Sequence, residues 1–234
     1  KRNFDMTFLE MARLARLRSG AAELVGGAKV IEAQLVAGYS SGSAFRSAFA
    51  AWMGLTPGAF VQNAVLRADW IETPLGAMVA VASESALHLL EFTERRALPA
   101  ELAALRRDAK GSLGFGRFAS TDRIEREMNA FMAGDTAAFE TPLRPLGTPF
   151  TQNVWQALRE IPAGQTRSYG ELARYMGRPN ATRAVARANG ANPIAIAIPC
   201  HRVLGADGSL TGYGGGLWRK QKLIELERGF AAAR

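Results

Sequence analysis

The feature that most constrains the fold of this chain is where its hydrophobic period changes. From residue 1 to about 66, Leu, Ala and Val recur at three- and four-residue spacing, the mark of helices that bury one face. Between about 68 and 146 the pattern is mixed. Residues 70–72, 78–82 and 87–92 read as short strands, with turns at 73–76 and 83–85. Helices are predicted to follow at 100–109 and 122–133, the second capped by Thr121 or Asp122 and stopped by Gly134. From Pro149 onward the helical spacing returns, broken only around Cys200. One strand-bearing stretch between two helical ones predicts an α+β fold in three parts, 1–66, 67–148 and 149–234.

A chain of 234 residues is long enough for a substantial core, and 48% hydrophobic residues is ordinary for a globular protein. No apolar run reaches the length of a membrane span, and no membrane partner is expected. The first twenty residues are charged and lack the apolar stretch of a signal peptide. The chain opens on Lys1 rather than Met, so a fragment or a processed product is the expectation. One cysteine excludes an intramolecular disulfide and any cysteine-rich zinc site, which makes the reducing cytoplasm the expected compartment. A net charge of +8 suits an anionic partner without saying which. No His, Cys and carboxylate grouping has metal spacing, so neither a metal nor a cofactor is expected. His88 lies mid-strand and is given no role. Asn180-Ala181-Thr182 matches a glycosylation acceptor that a cytoplasmic chain would not use. Gly111, Gly114 and Gly116 lack the strand-then-helix setting of a dinucleotide loop and read as a turn.

In the first part, residues 29–37 can form a short helix, Gly38-Tyr39 a tight turn, and 41–53 a second helix. Ala44, Phe45, Ala48, Phe49 and Trp52 share one face of that second helix, with Ser41, Ser43, Arg46 and Ser47 outside it. Gly38 suits a left-handed position at the first helix's end. Two helices joined this way can lay the second in the major groove of DNA, although a plain amphipathic pair has the same pattern. The run Gly38-Tyr39-Ser40-Ser41, Phe45, Phe49, Met53-Gly54-Leu55-Thr56-Pro57 and Phe60 resembles the second helix-turn-helix of AraC-type regulators. Lys1-Arg2-Asn3-Phe4-Asp5-Met6-Thr7-Phe8 resembles the tail of the first. The resemblance implies that most of the first reading unit is absent. Arg46 is the only cation of the remaining recognition helix, which holds no Asn or Gln to read base edges.

The sole cysteine stands in Ile198-Pro199-Cys200-His201-Arg202-Val203. A thiol is a strong nucleophile only as its thiolate, so a reactive cysteine needs a base or a positive field nearby. Here a histidine and an arginine follow directly, although a lone cysteine is otherwise a small buried hydrophobe. Residues 194–198 form an apolar, partly β-branched run between Asn192-Pro193 and Pro199. They read as a buried extended segment that delivers Cys200 to the rim of a site. Neighbours in an extended chain point opposite ways. Cys200 and His201 are therefore expected to communicate through a bridging water or a turn at Pro199, with an orienting acceptor on the other imidazole nitrogen.

Pro199-Cys200-His201-Arg202-Val203 resembles the active-site motif of the O6-alkylguanine-DNA alkyltransferases. The likeness extends upstream to Asn192-Pro193 and downstream to Gly212-Tyr213-Gly214-Gly215-Gly216, then Lys220, Leu223 and Glu227. Further upstream, Thr166-Arg167-Ser168-Tyr169-Gly170-Glu171-Leu172-Ala173 and Ala181-Thr182-Arg183-Ala184-Val185 look like that family's DNA-binding helix-turn-helix. The resemblance runs from about residue 68 to 229 and is dense from Phe150. It implies an all-α AraC-type helix-turn-helix, a small ribonuclease H-like α/β subdomain over 67–148, and a winged-helix-like helical alkyltransferase domain over 149–234.

Carried over by motif position, Cys200 accepts the alkyl group, His201 is the general base acting through water, and Glu227 orients His201. Asn192 braces the active-site turn. Tyr169 contacts the flipped guanine and its 3′ phosphate and protonates the departing base. Arg183 enters the stack the guanine has left, with Thr182, Ala184, Ala186 and Arg202 also on DNA. Tyr213, Gly214, Val203 and Asn189 form the substrate pocket, carbonyls near Cys200 and Val203 reading the exocyclic amine. An O6 carbon inside a duplex is out of a thiolate's reach, so the base must be extruded at a cost of about a few kcal/mol. Small residues on the helix at 180–191, namely Ala181, Ala184, Ala186, Ala188 and Gly190, permit close approach in a shallow groove and read shape rather than sequence. Taken singly, Tyr169 also fits a hydrophobic cluster, Arg183 and Arg187 a solvated helix face, Gly214, Gly215 and Gly216 a flexible turn, and Glu227 an exposed one. The joint spacing sets them apart.

The function implied is direct reversal of O6-alkylguanine, and of O4-alkylthymine, in double-stranded DNA by a monomer that acts once. One alternative is an alkylation-responsive transcription regulator whose main output is the helix-turn-helix, and promoter footprinting would separate the two. Another is an alkyltransferase-like DNA binder without transfer, a class in which the cysteine is typically replaced. The adaptive-response proteins that the chain resembles also carry a four-cysteine zinc domain. Nothing in this sequence corresponds to it, so phosphotriester repair is not expected.

Overall fold

The structure is a computed structural model and describes residues 7–232. The resemblance seen in Lys1 to Met6 lies outside the described residues. By the density of their internal contacts the described residues divide into two compact units. The first holds the residues up to Glu72, then Gly76–Glu125 and Thr141–Arg144. The second holds Thr73–Leu75, Arg126–Glu140 and the chain from Pro145.

In the first unit, helix α1 (Phe8–Val25) starts at a capping box in which the Thr7 hydroxyl accepts from Glu10 N and the Glu10 carboxylate accepts from Thr7 N. It packs on α2 (Val30–Val36) through Gly20, where a Cβ would stand 2.6 Å from the Ala33 carbonyl. The predicted turn is present, with Gly38 left-handed at φ 68°. Helix α3 (Gly42–Met53) is capped by Ser41, whose hydroxyl accepts from Ala44 N at 3.1 Å. Its buried face carries Phe45, Ala48, Phe49, Trp52 and Met53. Ala44, expected on that face, is exposed, because its place in the first turn points it away from α1 and α2.

A four-stranded sheet follows in the order β3-β2-β1-β4. Strands β2 (Met78–Ala82) and β3 (Leu87–Phe92) have the predicted limits and pair antiparallel, as do β1 and β2. Strand β1 (Leu66–Ile71) begins earlier than the expected 70–72, because its first half pairs in parallel with β4 (Leu113–Phe115). The glycine-bearing segment read as a turn is therefore partly a strand. Gly114 lies in it because a Cβ there would sit 2.1 Å from the Val61 carbonyl. Helix α4 (Leu98–Asp108) starts two residues before its predicted limit, with Pro99 in its first turn. Helix α5 (Ala119–Ala133) starts three residues early and places Thr121 inside the first turn, where its hydroxyl accepts from Phe118 N. It ends where predicted, at the left-handed Gly134.

Helices α1–α3 and the sheet share one hydrophobic cluster, running from Leu17, Phe45 and Phe49 to Val79, Leu89 and Leu98. Phe60 stacks on Phe115 with ring centroids 4.0 Å apart, and Phe49, Trp52 and Trp70 extend the aromatic chain. The buried Trp52 indole is satisfied by the Thr93 carbonyl at 2.8 Å.

In the second unit, α6 (Pro149–Arg159) has Thr148 as its N-cap and buries Val154, Trp155, Ala157 and Leu158. It packs on α8 (Thr182–Gly190), where Trp155 Nε1 donates to the Ala188 carbonyl at 2.8 Å. Helix α7 (Tyr169–Tyr175) begins at the Ser168–Glu171 capping box and packs against α8. A two-residue parallel pair joins β5 (Arg167–Ser168), in a stretch the sequence read as helical, to β6 (Val203–Leu204), beside the expected break around Cys200. Helix α9 (Leu217–Ala232) completes the unit. No helix among the described residues is long and apolar enough to cross a membrane.

Candidate active site

The segment ahead of Cys200 is buried as predicted, but it is not extended. Ile198 N donates to the Ile194 carbonyl at 3.0 Å and Ala197 N to that of Ala195 at 2.9 Å, folding the run back on itself. Ile196 sits at φ 71°, a left-handed conformation that a β-branched residue adopts only under constraint. Asn192 supplies the constraint from the inside. Its Oδ1 accepts from Ile194 N at 3.0 Å, and its Nδ2 donates to the Ile198 carbonyl at 2.8 Å and to Cys200 Sγ at 3.2 Å. One amide thereby ties the start, the end and the product of the loop together.

Pro199 leads into a 3₁₀ turn, Cys200–Arg202, so the chain does turn between the cysteine and the histidine. Cys200 is 5% exposed. The Cys200 carbonyl accepts from Val203 N and from Asn189 Nδ2 at 3.4 Å. Asn189 is buried on α8 behind the turn.

His201 is fully buried, and its Nε2 lies 2.8 Å from Glu227 Oε1 on α9. With Glu227 ionised, Nε2 is the protonated nitrogen, which leaves Nδ1 as a bare lone pair. Nδ1 is buried and has no hydrogen-bond partner among the described residues. Burial pushes the imidazole below its ordinary value, and the charges of Arg202 and Lys220 push the same way against the pull of Glu227. His201 is thus a neutral imidazole with an open acceptor. Burial alone would raise the Glu227 carboxyl, but hydrogen bonds and charges from His201 and Arg202 hold it down to about 2.

Arg202 requires a correction. Expected on DNA, it is instead buried and bidentate on Glu227, with Nε to Oε2 at 2.8 Å and Nη2 to Oε1 at 2.7 Å, while Nη1 donates to the Ile161 carbonyl at 2.5 Å. Its donors are committed inside the protein.

Tyr169, the first residue of α7, is half-buried, with Thr211 and Asn189 as hydrogen-bond partners. Gly212, left-handed at φ 52°, comes so close that a Cβ would lie 3.2 Å from the phenol oxygen. Burial raises the phenol above its ordinary value and keeps it a proton donor. Tyr213 sets its ring edge-on to His201 at 6.5 Å. Gly214 is exposed and Val203 fully buried.

Arg183 and Arg187 stand exposed on α8, with Thr182, Ala184 and Ala186 half-buried beside them. Ala188, expected on the groove-facing side, is buried because its turn packs under α6. His88 bonds Ser83 through Nε2 at 3.1 Å, remote in sequence from this site. Among the described residues no three His, Cys, Asp or Glu side chains gather as a metal would need.

Sequence reading gave no role to Lys220. Its spacing from Leu223 and Glu227 on one face of α9 was the available signal: two charged residues two turns apart on a buried stripe.

Helices α7 and α8 pack as a helix-turn-helix in the same unit as a cysteine, a neutral histidine and a buried carboxylate, an arrangement suited to bringing a thiol to DNA. Residues 149–229 match the family model described as 6-O-methylguanine DNA methyltransferase, DNA binding domain, and residues 1–63 match that of a helix-turn-helix domain, here of AraC type. A methylated-DNA–protein-cysteine methyltransferase of Mycobacterium tuberculosis is 57% identical over 107 residues, 46% of this chain and 65% of that protein. The Mycobacterium leprae protein of the same name is 43% identical over 158 residues, 68% of this chain and 90% of its own length. A crystal structure of Mycobacterium tuberculosis OGT in complex with DNA superposes with a TM-score of 0.59 at 41% identity, covering 70% of this chain and 92% of that one. The chain belongs to the methylated-DNA–protein-cysteine methyltransferase family, with a helix-turn-helix domain joined at its N-terminal side.

Proposed function

We propose that this chain repairs DNA directly, by moving the alkyl group of O6-alkylguanine, or of O4-alkylthymine, onto Cys200. The observation that carries the reading is the relay behind the sulfur: His201 neutral, its Nδ1 open, and its Nε2 bound to the ionised Glu227. Through water, Nδ1 takes the proton of the thiol. The thiolate attacks the alkyl carbon, a C–S bond forms as the O6–C bond breaks, and the electron pair leaves on the base. Tyr169 supplies a proton to the departing guanine. The thioether is not readily cleaved, so each molecule acts once.

Asn192 holds the turn that presents Cys200, and Tyr213 and Gly214 wall the pocket. The exposed Arg183 enters the space from which the base is extruded, offsetting part of an extrusion cost of about a few kcal/mol. Thr182, Ala184 and Ala186 let α8 approach the groove. We read 67–148 as a ribonuclease H-like subdomain, 149–234 as a winged-helix-like one, and the protein as a cytoplasmic monomer acting on double-stranded DNA.

Incubation with a duplex containing O6-methylguanine is expected to add the mass of one methyl group to the Cys200 peptide, and C200A to abolish it. Methyl retained by the DNA, or removed by C200A, sinks the reading.

A further inference from the structure

Arg219 is a buried cation that the reaction above does not use. It stands in the first turn of α9, 5% exposed, and its guanidinium bridges two carbonyls. Nε donates to Leu75 O at 2.6 Å and Nη1 to Gly215 O at 2.7 Å. Leu75 belongs to Thr73–Leu75, the turn between β1 and β2 that is part of the second unit. Gly215 is the buried middle of the run Gly214-Gly215-Gly216. The guanidinium also lies over the Trp218 ring, 4.6 Å from its centroid, and Trp218 backs Gly216, where a Cβ would come within 3.3 Å of the indole.

The loop it touches is one that needs holding. Three successive glycines bring no side chains to pack, and glycine loses more conformational freedom on ordering than any other residue. Gly212 at φ 52° and Gly216 at φ 92° mark the bends, and Gly216 N donates to the Tyr213 carbonyl at 3.0 Å to close the turn. Side chains of α9 then fix where that turn sits. Lys220 Nζ donates to the carbonyls of Thr211 and Val203, both at 2.5 Å, and holds the start of the loop. Arg219 holds its end. Between these anchors Gly212 meets the Tyr169 phenol and Tyr213 stands edge-on to His201, so the anchored stretch faces the site. A guanidinium offers its donors in a rigid planar fork, which lets one side chain keep two carbonyls at a set separation, whereas an ammonium is a single point.

We propose that Arg219 is a positioning residue that clamps the pocket wall at 213–216 against the β1–β2 turn, and thereby limits the size of the alkyl group the site takes. This deepens the alkyl-transfer reading and rests on it for the substrate, while the clamp itself can be tested without DNA.

The experiment pairs amide hydrogen exchange over 211–217 with single-turnover transfer from two duplexes, one carrying O6-methylguanine and the other O6-benzylguanine. It compares the full native chain with R219M, which keeps an apolar stem and removes every donor, and R219K, which keeps the charge without the fork. In R219M, exchange over 211–217 is expected to quicken about tenfold, the weight of one hydrogen bond from a charged donor. Methyl transfer is expected to slow, and the benzyl-to-methyl rate ratio to rise about tenfold, because a larger group can push aside a wall that is no longer pinned. R219K is expected to keep most of both changes. Loss of stability alone would slow the two transfers together, so an unchanged ratio overturns the proposal. Loop exchange at the native rate overturns it as well, and so does a native ratio in R219K. Should R219M fail to fold, R219K decides by the same criteria. A native chain that takes neither group sinks the repair reading, and faster exchange in the variants then still establishes the clamp.

Discussion

At Glu227 one carboxylate holds together the histidine beside Cys200 and the arginine after it, and this ties the stability of the fold to pH. The Glu227 carboxyl falls from 4.5 to about 2 on folding. Its contribution to stability is therefore complete above the unfolded value and lost as pH falls from about 4.5 toward 2. His201 acts in the same direction. Burial lowers its pKa, so below about 6.5 the unfolded chain takes a proton that the folded one resists. The unfolding temperature is expected to be flat near neutrality, to decline as pH drops through about 6.5, and to fall more steeply below about 4.5. E227Q should remove the steep limb and, by stranding Arg202, cost about 3–5 kcal/mol at pH 7. Thermal unfolding of both proteins from pH 3 to 8 reads this, and a midpoint that rises on acidification from neutrality would contradict it. Arg202 also marks where sequence reading stopped. A cation beside a reactive cysteine looks exposed in the linear chain, and the partner that captures it stands 25 residues later.

Among the elements, α3 and α4 meet at a point that one methyl group should disrupt. Gly54 ends α3 at φ 70°, and a Cβ there would lie 2.2 Å from the Pro99 carbonyl at the start of α4. G54A is expected to cost more than about 1 kcal/mol through backbone strain, before the clash is counted. Gly58, with nothing within 4 Å of its would-be Cβ, is the control, and G58A should be neutral or stabilising by up to about 1 kcal/mol. Chemical denaturation of the pair measures the difference; equal midpoints would count against this packing. The same scale shows what was legible. Strands β2 and β3 could be placed because short apolar runs, with valines in β2 and leucines and a phenylalanine in β3, lie between evident turns. Strand β4 could not, since three residues centred on a glycine become a strand only beside β1, 47 residues away at Leu66↔Leu113. Residues 194–198 misled for the opposite reason. Their side chains favour an extended chain, and the fold-back is imposed by the hydrogen bonds of Asn192.

For the molecule as a whole, the N-terminal helices are not an appendage to the sheet but part of its core. Removing residues 1–63 would uncover Trp70 and Phe115 and strip Phe45, Phe49 and Trp52 from a cluster shared with Val79, Leu89 and Leu98. A chain starting at Ala64 is expected to unfold at lower temperature and to bind the dye ANS, which the full chain should not. Equal unfolding temperatures would show that the sheet supports itself. The family could be read from the Cys200 motif and its flanks, whereas this sharing of one core could not, because the contacts join segments that each look self-sufficient. The solitary cysteine has a consequence for how the protein can be counted. With no second thiol in the chain, Cys200 has no internal partner to hand its cargo to, and no other sulfhydryl can mimic the signal. On the repair reading, the intact mass of a purified population becomes a dosimeter: the fraction of molecules one alkyl group heavier is the number of bases restored per protein, with no peptide mapping needed.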